Sequence, residues 1–140
     1  MIALDSSFLI AFKIQNDAHH GKAEALMKTI ASEKHGRPFL TDYVFDETVT
    51  GILVRSGKLE LAVEYGRELV SSIEMVNVDE DAFRSAWKVF SEQTTGELSF
   101  TDATTISVMR QYGVAALATF DRDFRRVDGI RPVGMDDGPD

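Results

Sequence analysis

Cysteine is absent from this chain of 140 residues. That excludes disulfides and thiolate metal sites, and it fits a reducing cytosol. Proline is scarce, with three residues, and both Pro and Gly fall singly between periodic segments. No internal repeat, low-complexity tract or long linker divides the chain. Positive charge is also short: Lys and Arg number 15 against 23 Asp and Glu, a formal net charge of −8. A broad basic face that coats nucleic acid is therefore excluded, while a basic protein partner is favoured. No apolar run approaches a membrane span, and the N-terminus lacks the basic start and long apolar stretch of a signal peptide. No membrane association and a cytoplasmic location are the resulting expectations. Neither G-x-x-x-x-G-K-[ST] nor G-x-G-x-x-G occurs, so a phosphate-cradling nucleotide loop has no support. His19, His20 and His35 lie in polar stretches without the spacing of a zinc site or a catalytic dyad, and they read as surface residues.

What is present is ordinary for one globular domain: 44% hydrophobic and 27% charged residues in a length that buries a sizeable core. Met1 to Leu4 is a short apolar run, read as a first strand buried on both faces. Ser6 or Ser7 caps a helix carrying Phe8, Leu9, Ala11 and Phe12. Asp17 caps a second helix, Ala18 to about Lys34, ended by Gly36, Arg37 and Pro38. Phe39 to Thr41 reads as strand, Val44 to Arg55 and Leu59 to Val70 as helices, and Ile73 to Val78 as strand. A helix from Asp79 to about Gln93 turns Ala82, Phe83, Ala86, Trp87, Val89 and Phe90 inward by spacing. Ser99 caps a helix that runs to about Tyr112 and stops at Gly113. Val114 to Thr119 is a fourth strand, and Pro132-Val133 a possible edge strand. The alternation predicts an α/β fold: a parallel sheet of four to five strands with helices on both faces. One domain over residues 1–133 is expected, followed by a polar, frayed tail at 134–140.

Four carboxylates fall where a strand hands over to a helix or loop. They are Asp5 after the first strand, Glu47 in the first turns of a helix, Asp102 three residues after Ser99, and Asp121 after the fourth strand, with Asp123 two residues on. In a parallel sheet such places share one edge, so residues distant in sequence converge in one crevice. Converging acids resist joint ionisation unless a cation neutralises them. All-oxygen ligands suit Mg²⁺ or Mn²⁺ rather than zinc. Two helix N-termini offset part of the repulsion. A divalent-metal phosphodiester hydrolase follows as the leading expectation, with a metal-bound water as nucleophile. Ser6, Ser7, Thr101 and Thr119 are candidates to orient a carboxylate or a phosphate. Arg122 and Arg125 are the local candidates for phosphate contact.

Each acid also has an ordinary alternative. Asp5 can cap the next helix, Asp102 suits any first helical turn, Glu47 can be a solvated helix residue like its neighbour Asp46, and Asp121 with Asp123 can form a polar turn. The joint placement carries the case.

These motifs resemble PIN-domain ribonucleases and, among them, the VapC-type toxins of prokaryotic toxin–antitoxin pairs. The resemblance runs from Met1 to about Val133. Leu4-Asp5-Ser6-Ser7 is similar to the opening strand and first acid, and Asp46-Glu47-Thr48-Val49 to the second. Ser99-Phe100-Thr101-Asp102-Ala103 looks like the third acidic motif, and Leu117 to Phe124 the closing one, with Asp121 in fourth position and Asp123 assisting. The resemblance implies a five-stranded parallel sheet, Mg²⁺- or Mn²⁺-dependent endoribonuclease activity, a homodimer, and a silencing antitoxin whose arginine competes with metal. Two other readings stand beside it. One is a non-catalytic module of the same fold that binds a basic protein or RNA-processing partner through the acidic cleft. The other is a phospho-accepting receiver domain, ranked last because no lysine ends a later strand.

Overall fold

The computed structural model describes residues 1–135. Five parallel strands form one sheet: β1 (Ile2–Leu4), β2 (Pro38–Thr41), β3 (Glu74–Val76), β4 (Ala116–Ala118) and β5 (Arg131–Val133), in the spatial order β3-β2-β1-β4-β5. The six α-helices are α1 (Ser6–Lys13), α2 (His20–Ala31), α3 (Asp42–Ser56), α4 (Leu59–Ser72), α5 (Glu80–Ser91) and α6 (Phe100–Tyr112). A short 3₁₀ helix, Arg122–Arg126, follows β4. The predicted parallel α/β sheet is found, with the last edge strand present.

The inner strands β1, β2 and β4 are apolar because both their faces are covered, while the edge strands β3 and β5 carry exposed Glu74 and Arg131. Ile2 and Leu4 point into one core with Phe8, Leu9, Leu40, Val44 and Tyr65. Ala3 points the other way, into a second core with Phe39, Ile106, Met109, Leu117 and Phe124. One β-strand thus feeds both layers through its two-residue period. Chain order moves from β1 to β2 on one side and to β4 on the other, so the sheet reverses direction at β1. The carboxyl end of β1 is the switch point where such folds bind ligands.

Local sequence sets the helix ends. Thr41 accepts the N–H of Val44 at the start of α3, Asp79 that of Ala82 at α5, and Ser99 that of Asp102 at α6. Gly113 closes α6 with φ +67°, a left-handed conformation that favours glycine.

Several boundaries differ from expectation. Helix α2 begins at His20, not Ala18, because the Asp17 carboxylate accepts from His19 N at 2.8 Å and meets Arg55 at 2.6 Å, so residues 17–19 form a turn. Strand β3 covers only Glu74–Val76 and β4 only Ala116–Ala118. The largest correction concerns α5. Trp87 and Phe83 are not core; they are 57% and 45% exposed, while Ala82 and Ala86 are the buried positions. The helix carries two apolar stripes, and the alanine stripe turns inward because it lets α5 approach α6 closely. Of the predicted frayed tail, Met135 packs against the first core; residues 136–140 lie outside the described residues.

Candidate active site

The crevice at the end of β1 gathers three of the predicted acids. Asp5, Glu47 and Asp102 each offer a carboxylate oxygen, and these atoms all lie within 4.8 Å of one another. Asp5 arrives from β1, Glu47 from the second turn of α3, and Asp102 from the first turn of α6. Asp5 and Asp102 are buried and Glu47 is half-buried.

Asp5 sits at the N-cap position of α1, yet its side chain caps nothing there. It turns instead toward β4: Ser7 Oγ and Thr119 Oγ1 each donate to Asp5 Oδ2 at 2.7 Å. The two hydroxyls are held in turn. Ser7 Oγ accepts the N–H of Phe120 at 3.0 Å, and Thr119 Oγ1 accepts that of Asp121 at 3.0 Å. The loop after β4 is thereby tied to the first acid across the sheet. Ser6 Oγ donates to Glu47 Oε1, which fixes the second acid from α1. Three of the four predicted hydroxyls thus orient an acid; Thr101 meets Thr104 Oγ1 through its carbonyl oxygen.

Asp102 takes the capping role weighed from sequence while lying in the acidic group. Its Oδ2 accepts the N–H of Ser99 at 2.9 Å while its own N–H donates to Ser99 Oγ, a reciprocal capping box. The same carboxylate faces the crevice. Asp121 likewise caps the 3₁₀ helix, accepting the Asp123 N–H at 2.9 Å. It stands outside the tight group of three, but its negative charge reaches both Asp5 and Asp102. Asp123 adjoins Asp121 rather than the three. Arg122 is exposed and Arg125 half-buried beside them; of the histidines expected at the surface, His19 is exposed and stacks on Phe120, whereas His20 and His35 are half-buried, against Ala11 O and Thr29 Oγ1.

The electrostatics record the cost of this convergence. Burial pushes the Asp5 carboxyl up to about 6 from 3.8, against the Ser7 and Thr119 hydrogen bonds, which lower it; Glu47 and Asp121 add to the rise. Burial, then the charge of Asp5, raises Asp102 to about 7. Burial is also the first cause of the upward shift at Asp121. Buried acids that resist ionisation in a group are the situation a divalent cation reverses. The donor set, oxygen only and three carboxylates within one coordination shell's reach, fits a hard divalent ion.

Two aromatic residues flank the acids along their helices, Tyr43 and Phe100, whose rings lie 6.0 Å apart. Tyr43 precedes Glu47 by one helical turn, and Phe100 opens α6 two residues before Asp102.

A central strand ending in an acid at the sheet's switch point, met by two helix N-terminal acids, defines an acidic-centre α/β domain. A sequence profile of the PIN domain matches residues 2–130, and the chain belongs to the PIN domain family. The 23S rRNA-specific endonuclease VapC20 of Mycobacterium tuberculosis is 31% identical over 124 residues, 89% of this chain and 92% of that protein. The crystal structure of the same protein, described as a sarcin–ricin loop cleaving toxin, superposes with a TM-score of 0.80 at 30% identity, covering 94% of this chain and 100% of that one. VapBC2 from Rickettsia felis, bound to a promoter DNA fragment, shares the fold with a TM-score of 0.71 at 15% identity, over 95% and 98% of the two chains. Among the described residues no helix is long and apolar enough to cross a membrane.

The Thr119 hydroxyl gives a direct test of how Asp5 is tuned. Removing it takes away a hydrogen bond that favours the charged carboxylate, so the Asp5 carboxyl moves further up. Thr119→Val is expected to weaken Mn²⁺ binding by about 10–100-fold, the usual effect of losing a group that orients a ligand. Isothermal calorimetry reads it; unchanged affinity refutes the role.

Proposed function

We propose that this protein is a divalent-metal-dependent endoribonuclease that hydrolyses RNA phosphodiester bonds and acts as the toxin of a toxin–antitoxin pair. The observation that carries this reading is the convergence of Asp5, Glu47 and Asp102 oxygens within 4.8 Å at the switch point of the sheet. Asp5, Glu47 and Asp102 would hold Mg²⁺ or Mn²⁺, with Asp121 completing the acidic site and Asp123 assisting. An ion held there would supply a water of lowered pKa and positive charge to offset that of the phosphate. Ser7 and Thr119 hold Asp5, and Ser6 holds Glu47, so that the carboxylates are aimed before substrate arrives. Arg122 and Arg125 lie nearest the last acid for contact with flanking phosphates.

The substrate is an RNA presenting an unpaired loop, a reading supported by a relative named for 23S rRNA cleavage that aligns along most of the chain. The partner is an antitoxin with a basic segment, and the net charge of −8 favours it. The toxin description of the 30% identical structure supports the same assignment. We assign the working form as a homodimer from the family resemblance alone.

The experiment is titration of the purified protein with Mg²⁺ and Mn²⁺ by calorimetry, together with cleavage of a ribosomal stem-loop RNA. Binding in the millimolar range or tighter is expected, with cleavage abolished by EDTA and restored by added metal. Absence of metal binding, or cleavage that persists in EDTA, defeats the proposal. The first result favours the non-catalytic module that uses the acidic cleft for a basic partner.

A further inference from the structure

Beside the acidic crevice the aromatic core continues out to the surface. Phe8 and Phe120 pack in the first core with ring centroids 6.3 Å apart. His19 lies on Phe120 with centroids 4.7 Å apart and ring planes within 8°, a parallel stack. Phe120 is 8% exposed, whereas the His19 side chain is 48% exposed. One face of the imidazole is covered by Phe120, so the exposed half of the side chain is its outer face and edge. His19 is a surface residue, as its polar surroundings predict, but it is held in place. Its backbone N–H donates to Asp17 Oδ1 at 2.8 Å, and Arg55 Nη1 donates to Asp17 Oδ2 at 2.6 Å. The turn that carries the ring is thereby anchored to the last turn of α3.

The position of the ring ties it to the acids. Phe120 stands between Thr119 and Asp121. Its N–H donates to Ser7 Oγ at 3.0 Å, and Ser7 Oγ donates to Asp5 Oδ2 at 2.7 Å. The ring lies on the β4 side of the crevice. It is a different surface from the aromatic side of α5, which follows β3 at the far edge of the sheet.

Two physical points give a fixed, half-open ring at this place a role. A chain of net charge −8 gains little attraction for a polyanion from long-range electrostatics, so its RNA affinity rests on local contacts. Unpaired bases stack on aromatic side chains, histidine included, and any base does so because each has a π-face. A ring already ordered by its own stack loses little freedom when a base adds to it.

We infer that His19 is a base-binding residue: an unpaired nucleobase beside the scissile bond stacks on its outer face and extends the column of Phe8, Phe120 and His19 by one ring. The phosphodiester then lies over the carboxylates, with exposed Arg122, two residues past Phe120, beside a neighbouring phosphate. This rests on the ribonuclease reading and adds to it the residue that seats the strand. His19 touches a base and not the reacting phosphate, so its loss raises KM and leaves kcat.

Two substitutions separate stacking from packing. His19→Phe keeps a flat ring on Phe120 and removes the ring nitrogens. His19→Leu keeps Phe120 covered and removes the π-face. Both are made in the Asp5→Asn protein, and binding of a fluorescein-labelled ribosomal stem-loop RNA in Mg²⁺ is read by anisotropy. The Phe variant is expected to bind as its parent does, and the Leu variant about tenfold more weakly. The same RNA is then made with an abasic nucleotide at each loop position in turn. At one position the missing base is expected to cost the parent about tenfold and the Leu variant nothing, since base and ring are partners. In the otherwise native enzyme His19→Leu raises KM by a similar factor at unchanged kcat. A Leu variant that binds as tightly as the parent overturns the inference. So does an equal loss in the Phe and Leu variants, which makes the ring a hydrogen-bond donor, and so do abasic costs that match in parent and Leu variant at every position. Absence of RNA binding overturns both this inference and the nuclease reading. Coupling between His19 and one base in a protein that never cleaves refutes the nuclease reading and keeps the stacking site. Cleavage without any such coupling does the reverse.

Discussion

Asp5→Asn is expected to abolish RNA cleavage and leave the fold intact. The side chain is 2% exposed at the end of the central strand, and burial holds its carboxyl near 6. Asparagine has the same shape and no charge. Its carbonyl oxygen can accept the Ser7 and Thr119 hydroxyls that now serve Oδ2. The tie between β1 and the loop after β4 therefore survives. What is lost is one of three negative charges facing the ion. In a dry site a single misplaced electrostatic group costs about 10²–10³-fold in rate, and loss of a charged ligand belongs at the upper end or beyond. The metal-free variant should melt no lower than the parent, because a buried charge has been removed. Its melting temperature should no longer respond to Mg²⁺. Gel-resolved cleavage of a stem-loop RNA and paired melting curves check both halves. Parental cleavage by the variant would show that Asp5 is not a ligand.

The second large effect is on stability as a function of pH and metal. Asp5 and Asp102 ionise near 3.8 when unfolded but are raised to about 6 and about 7 in the folded chain. Between those values the folded state holds protons that the unfolded state has released. The contribution of these groups to stability is therefore fully present below their unfolded pKa and is lost as pH rises through 6 and 7. Asp17 and Asp79 shift downward and act at lower pH, so they leave this window clear. A divalent ion binds only the deprotonated site. The Mg²⁺-induced rise in melting temperature should be small near about pH 5 and large near about pH 8. Scanning calorimetry with and without Mg²⁺ across this range is the measurement, and Asp5→Asn should flatten the profile. A metal shift that falls with rising pH would contradict the assignment of these acids as the binding group.

Much of this arrangement is legible in the amino-acid sequence. Asp5 follows an apolar run of a length suited to a doubly covered strand, and Asp102 follows a serine cap on a helix closed by Gly113. The periodicities that mark strands and helices are local, and so are caps and stops; a parallel sheet then forces the carboxyl ends to one edge. For Asp102 and Asp121 the capping role does not compete with a place at the crevice. A carboxylate has two oxygens, and each of these residues caps its helix while adding its charge to the crevice.

The amino-acid order by itself determined the element sequence, the α/β class and the four acidic positions, since each depends on neighbours within a turn or a strand. Only the tertiary structure decided that three of those acids meet within 4.8 Å with Asp121 beside them, and that Thr119 reaches Asp5 across 114 positions of chain. It also decided that Trp87 faces outward. Helical spacing tells which residues share a stripe. Which of two apolar stripes turns inward depends on how closely the next helix approaches, and the small alanines of α5 allow what its aromatic rings would prevent.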